Sequence, residues 1–165
     1  MAFKQFIGVA AVISFLVWTV VHGRNNYRHL LAEGKKTVAV VLEATGKNMT
    51  VAFYANGTTH EMVLSEPFDG FYKGETFGIL YDLEDPVYAE VLFHEPVYDK
   101  QAYVSTQATA YGTVNFDSFI EFEYRVGKKE FARFQAIHPD KTLVEGKPVQ
   151  VFYNISNPEI AYLEY

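Results

Sequence analysis

One sequence motif occurs twice in this chain of 165 residues, and the two copies are separated by a constant offset. The first copy is GETFGILYDLEDP at 74–86, and the second is GKPVQVFYNISNP at 146–158. The offset is 72 residues both from 74 to 146 and from 86 to 158, and it continues through Ala89 and Ala161. Self-similarity at a fixed offset is typical of repeated structural units. The sequence therefore predicts two tandem copies of one fold.

Short runs of strand-forming residues surround the motif. In the first unit these runs are Thr37–Glu43, Val51–Ala55, His60–Leu64, Thr76–Tyr81 and Tyr88–Phe93. Asn56 and Gly57 favour a two-residue type I′ hairpin turn, because both residues tolerate a positive φ. The similar hairpin of the second unit ends in Val126 and Gly127, so that Gly57 and Gly127 are offset by 70. These runs predict a mainly β fold, in which the two tandem units are small antiparallel β-barrels or rolls of about five strands each.

The stretch from Phe6 to Val21 is apolar and carries no charge. With Ala2 and Phe3 before it and His22 and Gly23 after it, the stretch approaches the roughly 20 residues that a helix needs to span a bilayer. A cleaved signal peptide is the alternative, since Lys4 supplies a basic start, but the residues up to Gly23 lack the usual Ala-x-Ala cleavage form. We therefore predict a retained transmembrane helix in contact with membrane lipid.

Small residues lie within this predicted helix. Gly8, Ala11 and Ser14 would let another helix approach closely, which suits packing against a partner span. The alternative is an ordinary lipid-facing helix, since small residues are common in such helices. We name these three residues as candidates for helix packing in the membrane.

The side of the membrane that holds the β units can be argued both ways. One lysine precedes the apolar stretch, whereas Arg24, Arg28, Lys35 and Lys36 follow it, and the positive-inside rule would then place the body in the cytoplasm. However, a very short N-terminal tail before an apolar helix is typical of a signal-anchor. We expect a protein of the bacterial inner membrane with its β body on the extracytoplasmic, periplasmic side.

These features divide the chain into five parts. We predict a transmembrane anchor at 1–23, a juxtamembrane connector or short interfacial helix at 24–36, and a first β unit at 37–93. A linker is expected at 94–106 and a second β unit at 107–165.

The repeated motif resembles a widespread bacterial family of membrane-associated domains of unknown function. Its units carry a V-x-Y-x-V-N-G-K-x-Y-type hairpin and end in G-x-x-V-x-V-x-Y-[DN]-x-x-[DN]-P-x-x-A. The matching residues are Phe53, Tyr54, Asn56, Gly57, Gly74, Tyr81, Asp82, Asp85, Pro86 and Ala89, then Tyr124, Gly127, Gly146, Val149, Val151, Tyr153, Asn154, Asn157, Pro158 and Ala161. The resemblance implies a β unit beside transmembrane helices. It implies no activity, because it depends on turn and core residues.

Composition and motifs argue against several classes of function. The formal net charge of -6 disfavours nucleic acid as a partner, and the absence of cysteine excludes thiolate chemistry. The five histidines (His22, His29, His60, His94 and His138) are scattered, with no zinc-enzyme spacing. No serine occurs in a Gly-x-Ser-x-Gly elbow. We therefore expect no catalytic residues, no resident metal and no cofactor.

Three carboxylates, those of Asp82, Glu84 and Asp85, form the most suggestive cluster and could offer oxygen ligands to calcium. At an offset of 72 the second copy has Asn154, Ser156 and Asn157, which lack the charge. Both copies keep the ability of Asx side chains to accept hydrogen bonds from nearby backbone before a proline. An Asx turn is therefore the favoured interpretation.

Charge and aromatic residues point to protein contacts. Residues 37–98 contain ten Asp and Glu against two Lys, a net charge of -8, which could attract a basic partner. The chain has 12 Tyr and 14 Phe, more than small β units can bury. The candidates for partner binding, on the surface or at the junction of the units, are Phe71, Tyr72, Tyr98 and Tyr103.

The sequence favours a protein that works through its surface. We expect a non-catalytic single-pass membrane protein that acts as an interaction or structural accessory subunit of a larger membrane or cell-envelope assembly. An alternative is an envelope ligand- or toxin-binding protein of the immunity type, using the acidic first unit. A third class, an enzyme with a site assembled from residues distant in sequence, has no motif in its favour.

Overall fold

The computed structural model describes residues 27–65, 70–114, 119–138, 140–141 and 148–164. The predicted anchor at 1–23, with Gly8, Ala11 and Ser14, lies outside this range. Within the described ranges, no helix is long and apolar enough to cross a bilayer. Most of the described residues belong to antiparallel strands, so the prediction of a mainly β fold is confirmed.

One short helix and ten strands make up the described chain. Residues 27–33 are helical. The strands of the first half are β1 (Lys35–Ala44), β2 (Met49–Ala55), β3 (Thr58–Leu64), β4 (Thr76–Tyr81) and β5 (Ala89–Pro96). A 3₁₀ turn, Lys100–Ala102, leads into β6 (Tyr103–Val114), β7 (Phe119–Val126), β8 (Lys129–Ala136), β9 (Gln150–Asn154) and β10 (Ala161–Glu164).

The ten strands form two five-stranded antiparallel sheets of identical topology. The first has the order β3-β2-β1-β4-β5, and the second has the order β10-β9-β6-β7-β8. Read from its other end, the second order is the first with five added to each strand number. The first strand of each sheet also carries a register shift against its hairpin partner, at Val41/Glu43 in β1 and at Ala108/Ala110 in β6. Such bulges increase local twist, so the first strand of each sheet twists more strongly at its bulge.

Three predicted boundaries differ from the observed ones. Strand β1 begins at Lys35, inside the predicted connector 24–36, because Lys35 and Lys36 pair with β4. Strand β5 continues to Pro96 and β6 begins at Tyr103, so both enter the predicted linker 94–106. The segment between the sheets is therefore only 97–102. Pairing with neighbouring strands extends β1 and β5 beyond what their own sequences indicate.

The hairpin turns set the correspondence between the units at 71 residues. Ala55 pairs with Thr58 and Val126 pairs with Lys129, so both turns contain two residues. The offset of 70 taken from the glycines is therefore wrong by one. With the offset of 71, buried Phe53 corresponds to buried Tyr124. Residue types alone misled because Asn56 and Gly127, which share a positive φ (49° and 62°), differ in type.

The repeated motif forms the same Asx turn in both units. The Oδ1 atom of Asp82 accepts hydrogen bonds from the backbone N–H groups of Glu84 and Asp85. In the second unit, Oδ1 of Asn154 accepts from the N–H groups of Ser156 and Asn157. The prediction of a shared Asx turn is thus confirmed atom by atom. Charge is irrelevant to this role, because only the side-chain oxygen takes part.

Each unit has an apolar core, and the first core extends into the second unit. Alternation along β7 buries Ile120, Phe122 and Tyr124 and exposes the glutamates between them, as predicted for a half-exposed strand. The cluster under the first sheet also contains Ile160 and Tyr162 of the second unit. The two units are therefore packed together through shared apolar contacts.

Candidate functional site

The junction of the units encloses a buried ion pair between Glu75 and Arg133. Glu75 belongs to the turn before β4, whereas Arg133 lies in β8 of the other unit, and both side chains are fully buried. The carboxylate of Glu75 accepts from Nη2 of Arg133, from the N–H of Tyr72 at 2.6 Å and from the hydroxyl of Tyr162 at 2.9 Å. Nη1 of Arg133 donates to the carbonyl of Glu159 at 3.0 Å. This network joins the first unit to the second.

Aromatic rings surround the guanidinium of Arg133. Its central carbon lies 5.3 Å from the ring centroid of Tyr72 and 5.5 Å from that of Tyr162. Its Nε is buried without a hydrogen-bond partner among the described residues. Cation–π contacts and the ion pair together offset part of the cost of removing this charge from water.

Burial controls the ionisation of this network. It raises the pKa of Glu75, while the charge of Arg133 and the hydrogen bonds to the carboxylate act in the opposite direction. Burial, followed by the charge of Glu75, raises the pKa of Tyr162, so its hydroxyl keeps the proton that it donates. The network has the composition of a structural clamp.

All four predicted partner-binding residues are half buried and contact other parts of this chain. Tyr72 belongs to the Glu75 network, and the ring of Phe71 lies 5.1 Å from that of Phe93. Tyr98 stacks on Tyr162 at 5.1 Å and lies 4.6 Å from Tyr103. Partner binding by these four residues stays a prediction. In the structure, all four pack against the core cluster that contains residues of both units.

Two histidines from different units meet at the edge of this junction. The ring centroids of His94, in β5, and His138, just after β8, are 4.9 Å apart and the rings are nearly perpendicular. Glu95 completes a group of three residues, each of which offers one ligand atom within 4.8 Å of the others. We call His94, Glu95 and His138 the histidine cluster. Among the described residues, these three side chains form a group that could bind a metal ion.

Charged neighbours define the electrostatics of the histidine cluster. Burial lowers the pKa of His94, the charge of Glu95 raises it, and His138 and Lys36 lower it further. Nζ of Lys36 pairs with Oε2 of Glu95, while Oε1 of Glu95 lies 3.8 Å from Nε2 of His94. The neutral imidazole of His94 is thus favoured near pH 7.

Sequence reasoning missed this cluster for a clear reason. His94 and His138 are 44 positions apart, and no local spacing connects them. The duplication gives no help either, because only one member of the pair belongs to each unit. A prediction of contacts between the units would have been needed to find it.

An open groove lies between β3 and β5, which are the two outer strands of the first sheet. It has a volume of about 400 Å³ and is lined by the end of β3, at Val63 and Leu64, and by Ala89, Val91 and Phe93 of β5. Val63 is 64% exposed. The strands on either side have a sheet partner on one side only within the described chain.

In the second unit, a glutamine bridges the place that corresponds to this groove. Gln135 of β8 accepts from the N–H of Leu163 at 2.7 Å and donates to its carbonyl at 3.4 Å. With offsets of 71 and 72, Gln135 corresponds to Leu64, and Leu163 corresponds to Val91. Leucine has no polar group, so it cannot make the bridge. The two units therefore differ at the point where their outer strands approach.

Two of the three carboxylates considered for calcium, those of Asp82 and Glu84, line a shallow cleft against the helix 27–33. The cleft of about 180 Å³ is lined by His29, Glu33 and residues 82–84 among others. Nδ1 of His29 lies 3.8 Å from Oδ2 of Asp82. Oδ1 of Asp82 accepts a backbone hydrogen bond in the Asx turn. This backbone contact explains why Asp82 occupies its position.

Comparison with known proteins gives no further assignment. No family model matches the chain. Neither a curated protein nor a solved structure matches it.

Proposed function

We propose that this protein is a non-catalytic single-pass membrane protein that serves as an interaction or structural accessory subunit of a larger membrane or cell-envelope assembly. The observation that carries the proposal is the open edge of the first sheet, where Leu64 and Val91 flank a groove. At the corresponding place in the second unit, Gln135 connects the two outer strands by hydrogen bonds. An unpaired strand edge is a template for a further strand. The groove gives the first unit a surface for an extended partner segment.

Charge favours a basic segment as the occupant. Residues 37–98 of the first unit carry a net charge of -8, which becomes -6 when Lys35 and Lys36 at the start of β1 are included. Glu75 is buried against Arg133 and Glu95 is paired with Lys36, so these two carboxylates are already neutralised within the chain. Glu90 on β5 lines the groove and is exposed, and Glu61 on β3 is exposed as well. Acidic rims of this kind steer a basic partner and set the orientation of docking.

The decisive experiment combines purification with two kinds of variant. The tagged full-length protein is purified from its membrane in gentle detergent, and the co-migrating proteins are identified by mass spectrometry. A stoichiometric membrane partner that is lost when residues 1–23 are deleted supports the anchor. Loss of the same partner in Val63→Lys, which places a charge on the open edge, supports docking at the groove.

A matched control uses an exposed apolar residue of the other unit. Ile155 is 56% exposed, and Ile155→Lys makes the same chemical change away from the groove. This variant should keep the partner. A full-length protein that runs alone, or a partner that tolerates Val63→Lys, contradicts the proposed function.

The second candidate function, an immunity-type protein that neutralises a basic effector, uses the same acidic unit. It is favoured by the charge of residues 37–98. Binding governed by exposed charges weakens strongly as ionic strength rises, because salt screens them. A soluble basic partner whose affinity falls steeply between 0.05 and 0.5 M salt would support this candidate over the accessory subunit.

A further inference from the structure

We propose that His94, Glu95 and His138 bind a divalent transition-metal ion, with zinc as the best match, and that this ion links the two units. The inference is independent of the proposed function, since none of these three residues lines the groove. Two imidazoles and one carboxylate are a ligand set that zinc accepts. The three ligand atoms already lie within 4.8 Å of one another.

The geometry requires a small contraction. Zinc binds nitrogen and oxygen ligands at roughly 2.0–2.2 Å in a tetrahedron, which places neighbouring ligand atoms about 3.3 to 3.5 Å apart. The ligand atoms of the histidine cluster must therefore approach by roughly 1.5 Å at most. All three side chains are partly exposed, between 21% and 34%, so rotamer adjustment is available to them. A fourth position remains for water.

Local hydrogen bonding determines which nitrogen of His138 carries its proton. Nδ1 of His138 accepts a hydrogen bond from the N–H of Asp140 at 3.2 Å, which places the proton of the neutral ring on Nε2. Metal binding through Nε2 requires that proton to move to Nδ1.

Asp140 provides a partner for the moved proton. Its Oδ2 lies 4.0 Å from Nδ1 of His138, and its side chain is 89% exposed and free to turn. A carboxylate that accepts from the second nitrogen of a ligating histidine fixes the tautomer and makes the ligand more basic. We therefore assign Asp140 as the positioning residue for His138.

Lys36 acts against the ion. Its Nζ pairs with Oε2 of Glu95, which leaves Oε1 as the ligand atom and adds a positive charge beside the site. Removing this charge should tighten binding, because the carboxylate then faces the cation alone. The direction of this effect distinguishes a site at Glu95 from adventitious binding elsewhere.

Zinc sulfate added to the metal-free full-length protein tests the inference. The protein carries a tag without histidine, is treated with chelator, and is titrated by calorimetry. We expect one zinc per chain and a rise in Tm, because the ion joins elements of both units and binds only the folded state. Cobalt in place of zinc should give visible absorption bands of a four-coordinate site.

Variants locate the ion. His94→Asn, Glu95→Gln and His138→Asn should each weaken zinc binding more than tenfold, and Asp140→Ala should weaken it about tenfold. Lys36→Met should strengthen it. His60→Asn is the matched control, since His60 lies on β3 outside the cluster, and it should bind zinc as the unchanged protein does.

Three outcomes would overturn the inference. They are the absence of binding at millimolar zinc, binding that survives His138→Asn in a variant with an unchanged circular dichroism spectrum, and binding lost in His29→Asn but kept in His94→Asn. The last result would place the ion at the cleft of His29 and Glu33 instead.

Discussion

Glu75 and Arg133 form an ion pair across the junction of the two units. Both side chains are fully buried, and each is the charge partner of the other. Removing one partner of a buried pair leaves an uncompensated charge, whereas replacing both with apolar residues is often tolerated.

We predict that Arg133→Met lowers the free energy of unfolding by about 3 to 5 kcal/mol, because it leaves the carboxylate of Glu75 without its cation. The double variant Glu75→Leu/Arg133→Met should recover much of this loss. Urea denaturation followed by circular dichroism measures both. A double variant that is the sum of the two single variants would contradict a direct interaction.

Gly34 has no room for a side chain. A Cβ at this position would overlap the carbonyl oxygen of Leu30, which closes the helix 27–33. Gly34→Ala should therefore displace the helix and reduce the free energy of unfolding by about 1 to 3 kcal/mol. Gly112→Ala is the control, since nothing lies within 4 Å of its added Cβ and the change should be close to neutral. Equal effects of the two substitutions would refute the steric argument.

His94 makes stability depend on pH. Its pKa lies below the ordinary value of 6.5, with Glu95, His138 and Lys36 facing it, so the folded state binds fewer protons than the unfolded state just below pH 6.5. The contribution of His94 to the free energy of unfolding is therefore complete above that pH and is lost as pH falls toward the lowered pKa. In the presence of chelator, the loss of unfolding free energy between pH 7.5 and 5.5 should be smaller in His94→Asn than in the unchanged protein. Identical pH profiles would exclude this contribution.

Strands and turns differ in how much of their structure is encoded nearby. The Asx turns at Asp82 and Asn154 and the hairpin at Asn56 were predictable, because each depends on residues within three positions. The contact of Glu75 with Arg133 spans 58 positions and joins different units, so no local pattern reveals it. The extension of β5 into the predicted linker has a similar cause, since pairing with β4 supplies it.

The hydrogen bonds that Gln135 makes between β8 and β10 can be removed by a single substitution. Gln135→Leu reproduces the first unit at this point and leaves the N–H and carbonyl of Leu163 without that partner. We expect a cost of about 1 to 3 kcal/mol and faster hydrogen exchange at the Leu163 amide. Exchange is measured residue by residue by NMR. The amide of Val91 serves as the reference, and equal acceleration at both amides would mean global destabilisation instead of an opened bridge.

At the scale of the whole molecule, the two units should unfold together. Tyr162 packs into the core of the first unit, so that core is incomplete when the second unit unfolds. Arg133 of the second unit in turn loses its buried partner Glu75 when the first unit unfolds. Circular dichroism in the far and near ultraviolet should give coincident urea transitions. Two separated transitions would show that the units are independent.

The proposed periplasmic location of the β units is testable because the chain contains no cysteine. Val87 is 76% exposed, so Val87→Cys introduces a single accessible thiol. For a periplasmic body, a membrane-impermeant maleimide should label this variant in intact cells. Labelling only after lysis would place the body in the cytoplasm, and labelling in detergent controls for access.

The ion pair at the junction also limits which substitutions the two copies can accept in evolution. At the same offsets that relate the two units, Glu75 corresponds to Lys147 and Arg133 corresponds to Met62. A chain built from two first units would bury a carboxylate with no cation, and a chain built from two second units would have the cation and no carboxylate. The copies have become complementary, like the subunits of a heterodimer joined by a peptide. Neither copy can now be lost or replaced by the other without a matching change on the opposite side.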